Sequence, residues 1–407
     1  MYWESLPATD IQTRVEKAIH QNNHYGVNKI PGWTAHTLDS RIFHNEDVLQ
    51  VPYVSAMLHH ADHRGCPTQG ITDELFEGTR QLELEAIEIC AEELMAGKPG
   101  MQDGYIAAGG TECNLQAAWI FRNLYKRMYH AGVHQIAMLN SEDTHYSLWK
   151  TASLLGIQQV IIEVNPTSRQ MEPLALRQKI RKARASDVYK RQGIEYFIVV
   201  ANMGTTMFGT VDNIDLLTEV LDEEKAIYYI HVDGAFGGFT YPFTQPNNRL
   251  NFSNNKVTSI NLDAHKMLQA PYGTGVFLIR KGYLDYLTPT DRSFMAHKFH
   301  TLSGSRSGAN AISVWMILRA YGSGGLEAKV KRVMDLKRKM CTELNNRKVE
   351  YIHDPDMNIV AIHQRNMVRD VQHHYNLVPD NHDHPTWWKV VFMDHVNESM
   401  VQHFLDH

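Results

Sequence analysis

The sequence predicts an α/β fold with a mainly parallel central sheet, and three observations carry that prediction. Short apolar runs alternate with amphipathic stretches along most of the chain, several of the runs end in polar or glycine-rich turns, and the C-terminal part has fewer such turns and closes on a strand-then-helix pattern. Alternation of this kind is what a parallel sheet with helices on both faces requires. A chain of 407 residues has room for one large domain with a deep core and a smaller one. The expected division is an N-terminal segment over 1–55, a large domain over 56–290 and a small α+β domain over 291–407.

The strand candidates follow in order as "GYIAAGG", "QIAMLNS", "QQVIIEV", "EYFIVVAN", "YYIHVDG", "VTSINLD" and "GTGVFLIRKG". Between the first two lies "CNLQAAWIFRNLYKRMYHAG", whose apolar residues recur every three or four positions, as a helix covering a sheet demands. The basic segment "KIRKARASDVYKRQG" reads as a solvated helix face and loop. The ending "WWKVVFMDHVNESMVQHFLDH" reads as a strand and a terminal helix of the smaller domain. No internal repeat or low-complexity tract interrupts the chain.

Composition narrows the partners. With 43% hydrophobic and 21% charged residues and a formal net charge of -5, the chain has no general attraction for nucleic acid or an anionic membrane. No segment approaches about 18 uninterrupted apolar residues, and the start lacks a basic stretch followed by an apolar core, so a cytoplasmic location is expected. Cys66, Cys90, Cys113 and Cys341 form no C-x-x-C pair, which argues against a disulfide framework or a zinc ribbon.

Chemistry begins in "AAGGTECNL". Gly109 and Gly110 permit a sharp turn, Thr111 offers a hydroxyl, and the first amides of the following helix point outward with the positive end of its dipole. A phosphate would bind there, although the same letters also suit a plain strand-to-helix turn capped by Thr111. His145 in "DTHYS" follows a strand and precedes a helix, a place that suits a capping or loop histidine as well as a catalytic one. "ANMGTTMFG" ends another strand in a Gly/Thr-rich turn, and "YYIHVDGAFGG" sets Asp233 at the end of an apolar run. Ligands of open α/β sheets collect at the carboxyl ends of strands, so these ends converge on one site. Asp-Gly also commonly starts a turn. The small residue Ala235 favours function, since a flat ring would lie close above the backbone there while Asp233 meets its edge. Lys266 in "NLDAHKML" then supplies a primary amine able to condense with an aldehyde. A Schiff-base lysine in a pyridoxal 5'-phosphate pocket follows.

In order and in wording, "GGTECNL", "HYS", "GTT", "HVDGAFGG", "DAHK" and "LSGSRSGANAISVW" resemble the group II pyridoxal-phosphate-dependent amino-acid decarboxylases, of the aspartate-aminotransferase-like fold type I. The likeness runs over about residues 50–320, with an echo in "WKVVFMDHV", and is strongest to the shorter bacterial and archaeal members. It implies that Lys266 holds the cofactor aldehyde, Asp233 pairs with the pyridine nitrogen, and Gly110 and Thr111 hold phosphate oxygens. It further implies that His145 stacks on one ring face, Ala235 packs on the other, Thr206 lies near the ring's edge and His265 sits beside phosphate or substrate. Ser303, Gly304 and Ser305, with Arg306 beside them, resemble the segment that reaches the phosphate of a neighbouring subunit, which implies a homodimer with shared active sites.

The implied reaction is decarboxylation of an L-amino acid to its amine. The bond to the carboxylate must stand perpendicular to the ring, so that its electrons flow into it, and an acid must then return a proton to the carbon. The long tyrosine-bearing loop of the animal and plant aromatic decarboxylases has no counterpart in "KGYLDYLTPTDRSFMAHKFHT", where Tyr283 and Tyr286 are expected to pack at the domain junction. Either tyrosine could be recruited to give that proton, and His145 is a further candidate proton donor. An aminotransferase or carbon-carbon lyase on the same fold is the alternative, although an aminotransferase would place an arginine in the small domain to hold the substrate carboxylate. A scaffold without cofactor is a further class. A metal reading rests on "LHHADH", where His59 and His63 would share a helix face with Asp62 pointing elsewhere; without H-E-x-x-H no metal is expected. Side chains near Tyr53, His59 and His60 are candidates for substrate choice.

Overall fold

The computed structural model describes residues 3–21, 62–69, 76–185, 193–287, 300–367 and 369–406; Tyr53, His59 and His60 lie outside them. Its strands are β1 (Asp62–Arg64), β2 (Gln102–Ala107), β3 (Ile136–Ser141), β4 (Gln158–Ile162), β5 (Tyr196–Asn202), β6 (Ile227–Gly234), β7 (Val257–Asp263), β8 (Gly275–Arg280), β9 (Ser305–Ser307), β10 (Tyr351–Ile352), β11 (Ile359–His363), β12 (Val378–Pro379) and β13 (Trp387–Val391). The longer helices are α1 (Ala8–Gln21), α2 (Glu77–Glu88), α3 (Gly110–Met128), α4 (Ser147–Leu155), α5 (Pro173–Ala185), α6 (Ile214–Glu223), α7 (Gly308–Asn346) and α8 (Glu398–Asp406).

Seven strands form the large sheet in the order β2-β8-β7-β6-β5-β3-β4. They are the seven runs expected from the sequence. Only β8 runs antiparallel to its neighbours; the other pairings are parallel. Every residue of β2, β3 and β7 is buried, as strands covered on both faces must be. Alternation along the strands divides their side chains between two cores. Ile106, Leu139 and Val199 pack with Leu82 of α2, Leu176 of α5 and Leu217 of α6, while Tyr105, Met138 and Ile198 pack with Phe121 of α3 and Leu148 of α4. The four-stranded antiparallel sheet, in the order β10-β11-β13-β12, belongs to the C-terminal part, and α8 closes the chain. The basic segment contributes the end of α5 as far as Ala185.

One sequence expectation changes, and three further side chains take places that the sequence did not indicate. His63 lies on strand β1, paired antiparallel with β9, and not on a helix face. Its Nδ1 meets Glu83 Oε2 at 2.8 Å and its Nε2 meets Thr79 Oγ1 at 2.7 Å, so both ring nitrogens are engaged within the protein. Arg306 turns its guanidinium inward, onto Glu83, the Ile106 carbonyl at 2.8 Å and the Gly65 carbonyl at 2.7 Å. Tyr283 and Tyr286 pack on the α3 side of the large sheet, where Tyr283 meets Tyr229 edge-on at 5.8 Å and Tyr286 follows it.

Glu83 is the hinge pin of this corner. Burial alone would raise its pKa, but the guanidinium of Arg306 and the imidazole of His63 override that and hold it at about 2, below the ordinary 4.5. A depressed carboxylate stabilises the fold fully above its unfolded value, and that stabilisation drains away as pH falls from about 4.5 toward about 2. The shift corresponds to on the order of 3 kcal/mol. Glu83→Gln should therefore lower stability at neutral pH by roughly 3 kcal/mol and flatten the loss in that acid window, as read from urea denaturation at several pH values. An unchanged midpoint at neutral pH would sink this account.

Candidate active site

Five carboxyl strand ends, those of β2, β3, β5, β6 and β7, open onto one cavity of about 590 Å³. Its floor starts at the turn from β2 into α3. Gly109 has φ +143°, a conformation that favours glycine, and the backbone of Gly275 lies so close that a Cβ there would stand 2.7 Å from Gly109 Cα. At Gly110 a Cβ would lie 3.1 Å from Ala235 Cβ and 3.1 Å from Asp263 Oδ2. Glycine thus keeps the start of α3 open, and the amides of its first turn have no intrahelical acceptor. Glu112 secures the entry by accepting hydrogen bonds from the Ala108 amide at 3.0 Å and the Tyr105 hydroxyl at 3.1 Å.

Asp233 is buried at the end of β6, where its Oδ2 accepts from Asn114 Nδ2 at 2.9 Å and its Oδ1 from the Ala235 amide at 3.1 Å. Across the cavity Lys266 Nζ stands 3.0 Å from Asp263 Oδ2, and Asp263 Oδ1 is buried with no hydrogen-bond partner. His265 Nδ1 donates to the Thr274 carbonyl at 3.0 Å, which leaves Nε2 facing Asp263 at 3.7 Å. His145 lies against the ring of Tyr146 at 4.1 Å; burial pulls its pKa below the ordinary value, with Asp233 opposing and Lys266 reinforcing. Asn202 at the end of β5 donates to the buried Asp212 at 2.8 Å, which pins the Gly/Thr-rich turn carrying Thr206.

Gly110, Thr111, His145, Thr206, Asp233, Ala235, His265, Lys266 and Ser303 line this one cavity. Ser305 lies on β9 and outside its wall. A carboxylate at one end, an amine beside an unpartnered carboxylate oxygen, and a glycine-lined helix start fit pyridoxal phosphate by charge and shape.

Residues 78–365 match the pyridoxal-dependent decarboxylase conserved domain. The chain belongs to that family. It is 37% identical to a tryptophan decarboxylase of Clostridium sporogenes, over 97% of this chain and 94% of the relative. It is 30% identical to a probable L-tyrosine/L-aspartate decarboxylase of Methanosphaera stadtmanae, over 81% of this chain and 82% of the relative. Among solved structures, a sphingosine-1-phosphate lyase of Burkholderia pseudomallei superposes with TM-score 0.72 at 18% identity, covering 100% of this chain and 90% of that one, a likeness of fold. This chain is a pyridoxal-phosphate-dependent amino-acid decarboxylase, a carboxy-lyase of amino acid metabolism. No helix among its described residues is long and apolar enough to cross a membrane.

Asn114 and Asp263 of this decarboxylase carried no expectation from sequence. Asp263 was in plain view, three residues before Lys266 and across a single tight turn from it. Asn114, one turn inside α3, gave no signal short of counting that turn from Thr111. Gly110→Ala should weaken pyridoxal phosphate binding roughly tenfold or more, since the methyl group fills the cradle, while the far-ultraviolet spectrum stays that of the parent. A cofactor titration followed by absorbance measures this, and parental affinity would exclude the cradle as the phosphate site.

Proposed function

We propose that this decarboxylase acts on an aromatic L-amino acid, L-tryptophan first, with Lys266 as the residue that holds pyridoxal phosphate. The observation that carries the reading is the pairing of Lys266 and Asp233 on a cavity whose other walls include Leu115, Tyr146, Phe236 and Leu302. No arginine is among the described lining residues, which disfavours a substrate with a second carboxylate. The 37% identity to a tryptophan decarboxylase supports the same choice.

When bound, the cofactor supplies a heteroaromatic ring that takes up the electron pair released with carbon dioxide. Lys266 would hold it through Nζ and yield to the substrate amine, Asp233 would keep a proton on its ring nitrogen, and Gly110 and Thr111 would bind its phosphate. His145 and Ala235 would cover the two ring faces, Thr206 would stand at the edge, and His265 beside phosphate or substrate. Ser303 lines this chain's own cavity, whereas Ser305, with Gly304 before it, would reach the phosphate of a second copy, making a homodimer with shared sites in the cytoplasm; Arg306, buried on Glu83, would brace that segment. We further infer the division into 1–55, 56–290 and 291–407, with β2 to β8 inside the second part and β10 to β13 inside the third.

A yellow band removed by borohydride in the parent and absent from Lys266→Ala, with carbon dioxide released from L-tryptophan faster than from tyrosine, aspartate, glutamate or histidine, is the expected result. A parent that takes up no cofactor would end the Lys266 reading; preference for an acidic substrate would end the aromatic one. Asp233→Ala should lose roughly a hundredfold or more in kcat, because a neutral ring nitrogen accepts the electron pair poorly. Near-parental turnover at full cofactor loading would overturn that role.

A further inference from the structure

Asn114 uses all of its hydrogen-bonding capacity inside the site. Its Nδ2 donates twice, to Asp233 Oδ2 at 2.9 Å and to Ser147 Oγ at 3.0 Å. Its Oδ1 accepts twice, from His231 Nε2 at 2.8 Å and from Asn261 Nδ2 at 3.2 Å. The opposite amide orientation would aim an oxygen at the Asp233 carboxylate, so the direction of every bond is set. His231 is consistent with it: burial holds its pKa at about 4, it donates from Nε2, and its Nδ1 accepts from Ser259 at 2.8 Å. Asn261 is equally consistent, since its own Oδ1 accepts the Gly234 amide at 2.9 Å.

The directed chain continues to His145. Ser147 Oγ accepts from Asn114 and lies 2.8 Å from His145 Nδ1, and its hydroxyl donates to that nitrogen because the backbone amide of the same residue already makes Nδ1 an acceptor. That amide donates at 3.3 Å. Two donors aimed at Nδ1 leave it a lone-pair acceptor, so the ring proton sits on Nε2.

We propose that Asn114 is a positioning residue which, acting through Ser147, holds His145 as the neutral tautomer with its proton on Nε2. It follows that His145 serves the site as a hydrogen-bond donor and not as the acid that returns a proton to the substrate carbon. A neutral imidazole giving up its only proton would become an imidazolate, and a second proton on Nδ1 would face two donors. The groups that bear on its charge are Asp233 and Asp263, which favour the cation, and Lys266 and Lys150, which oppose it. The same amide that orients Asp233 thus sets the histidine. This rests on reading the cavity as the reaction site, but the tautomer is a property of the chain itself.

Nitrogen-15 histidine labelling of the full-length protein, with His145→Asn used to assign the missing signal, reads the tautomer directly with and without pyridoxal phosphate. The expected result is an unprotonated Nδ1 and a protonated Nε2 across roughly pH 6 to 8. Ser147→Ala keeps the Asn114 to Asp233 bond and should release His145 into a mixture of tautomers. Asn114→Leu should do the same and also loosen the cofactor. A protonated Nδ1 in the parent near neutral pH overturns the proposal. If Ser147→Ala leaves the tautomer unchanged while circular dichroism shows a folded protein, the relay through Asn114 is wrong. Failure of the parent to take up pyridoxal phosphate would instead refute the reading of Lys266, and the tautomer would still be decided in the cofactor-free chain.

Discussion

A carboxylate buried at the end of β6 must find hydrogen-bond donors or lose its charge, and most of the site is arranged by how Asp233 finds them. One donor is the Ala235 amide, next but one in the chain; the other is Asn114 on α3. For α3 to bring that amide within reach, its first turn must start close above the sheet. The contact of Gly109 with Gly275 permits this, because β8, the one reversed strand, enters beneath the turn with no side chain at either position. The helix start that suits a phosphate and the acid that suits a ring nitrogen are therefore fixed to each other by one packing constraint.

The sheet was legible because parallel strands covered on both faces leave unbroken apolar runs, and all seven of those runs became strands. The polar residues at their carboxyl ends were legible for the same reason, since they stand out against those runs. Side-chain pairs distant in sequence were not. Asn114 and Asp233 are separated by 119 positions and Glu83 and Arg306 by 223, and no local pattern encodes either pairing. The three-residue strand β1 was invisible because its partner β9 lies far along the chain and three residues show no period. The layer that Tyr283 and Tyr286 join was not legible for a related cause: their place after β8 was evident, but the layer depended on Tyr229 across the sheet.

The charges of the site are distributed with a bias that fits its chemistry. Lys266 is matched by Asp263, and Lys389 of β13 donates to the Thr206 carbonyl at 3.1 Å, its basicity lowered by burial and by Lys266. The small sheet thus brings a cation to the edge of the cavity but commits it to a backbone oxygen. An aminotransferase would be expected to offer an arginine there, and none lines the cavity among the described residues.

That difference follows from what each reaction asks of the substrate carboxylate. In transamination the carboxylate stays charged from start to finish, so an ion pair with it stabilises every state alike and serves only to anchor the substrate. In decarboxylation the charge leaves the carboxylate as neutral carbon dioxide forms, so a strong ion pair would stabilise the ground state more than the transition state and raise the barrier. A cavity that holds its carboxylate by weaker, neutral donors avoids that penalty. His145, which lines the same cavity, would be such a donor if its proton sits on Nε2 as proposed, and the Asn114 and Ser147 hydrogen bonds would then keep it neutral as carbon dioxide departs.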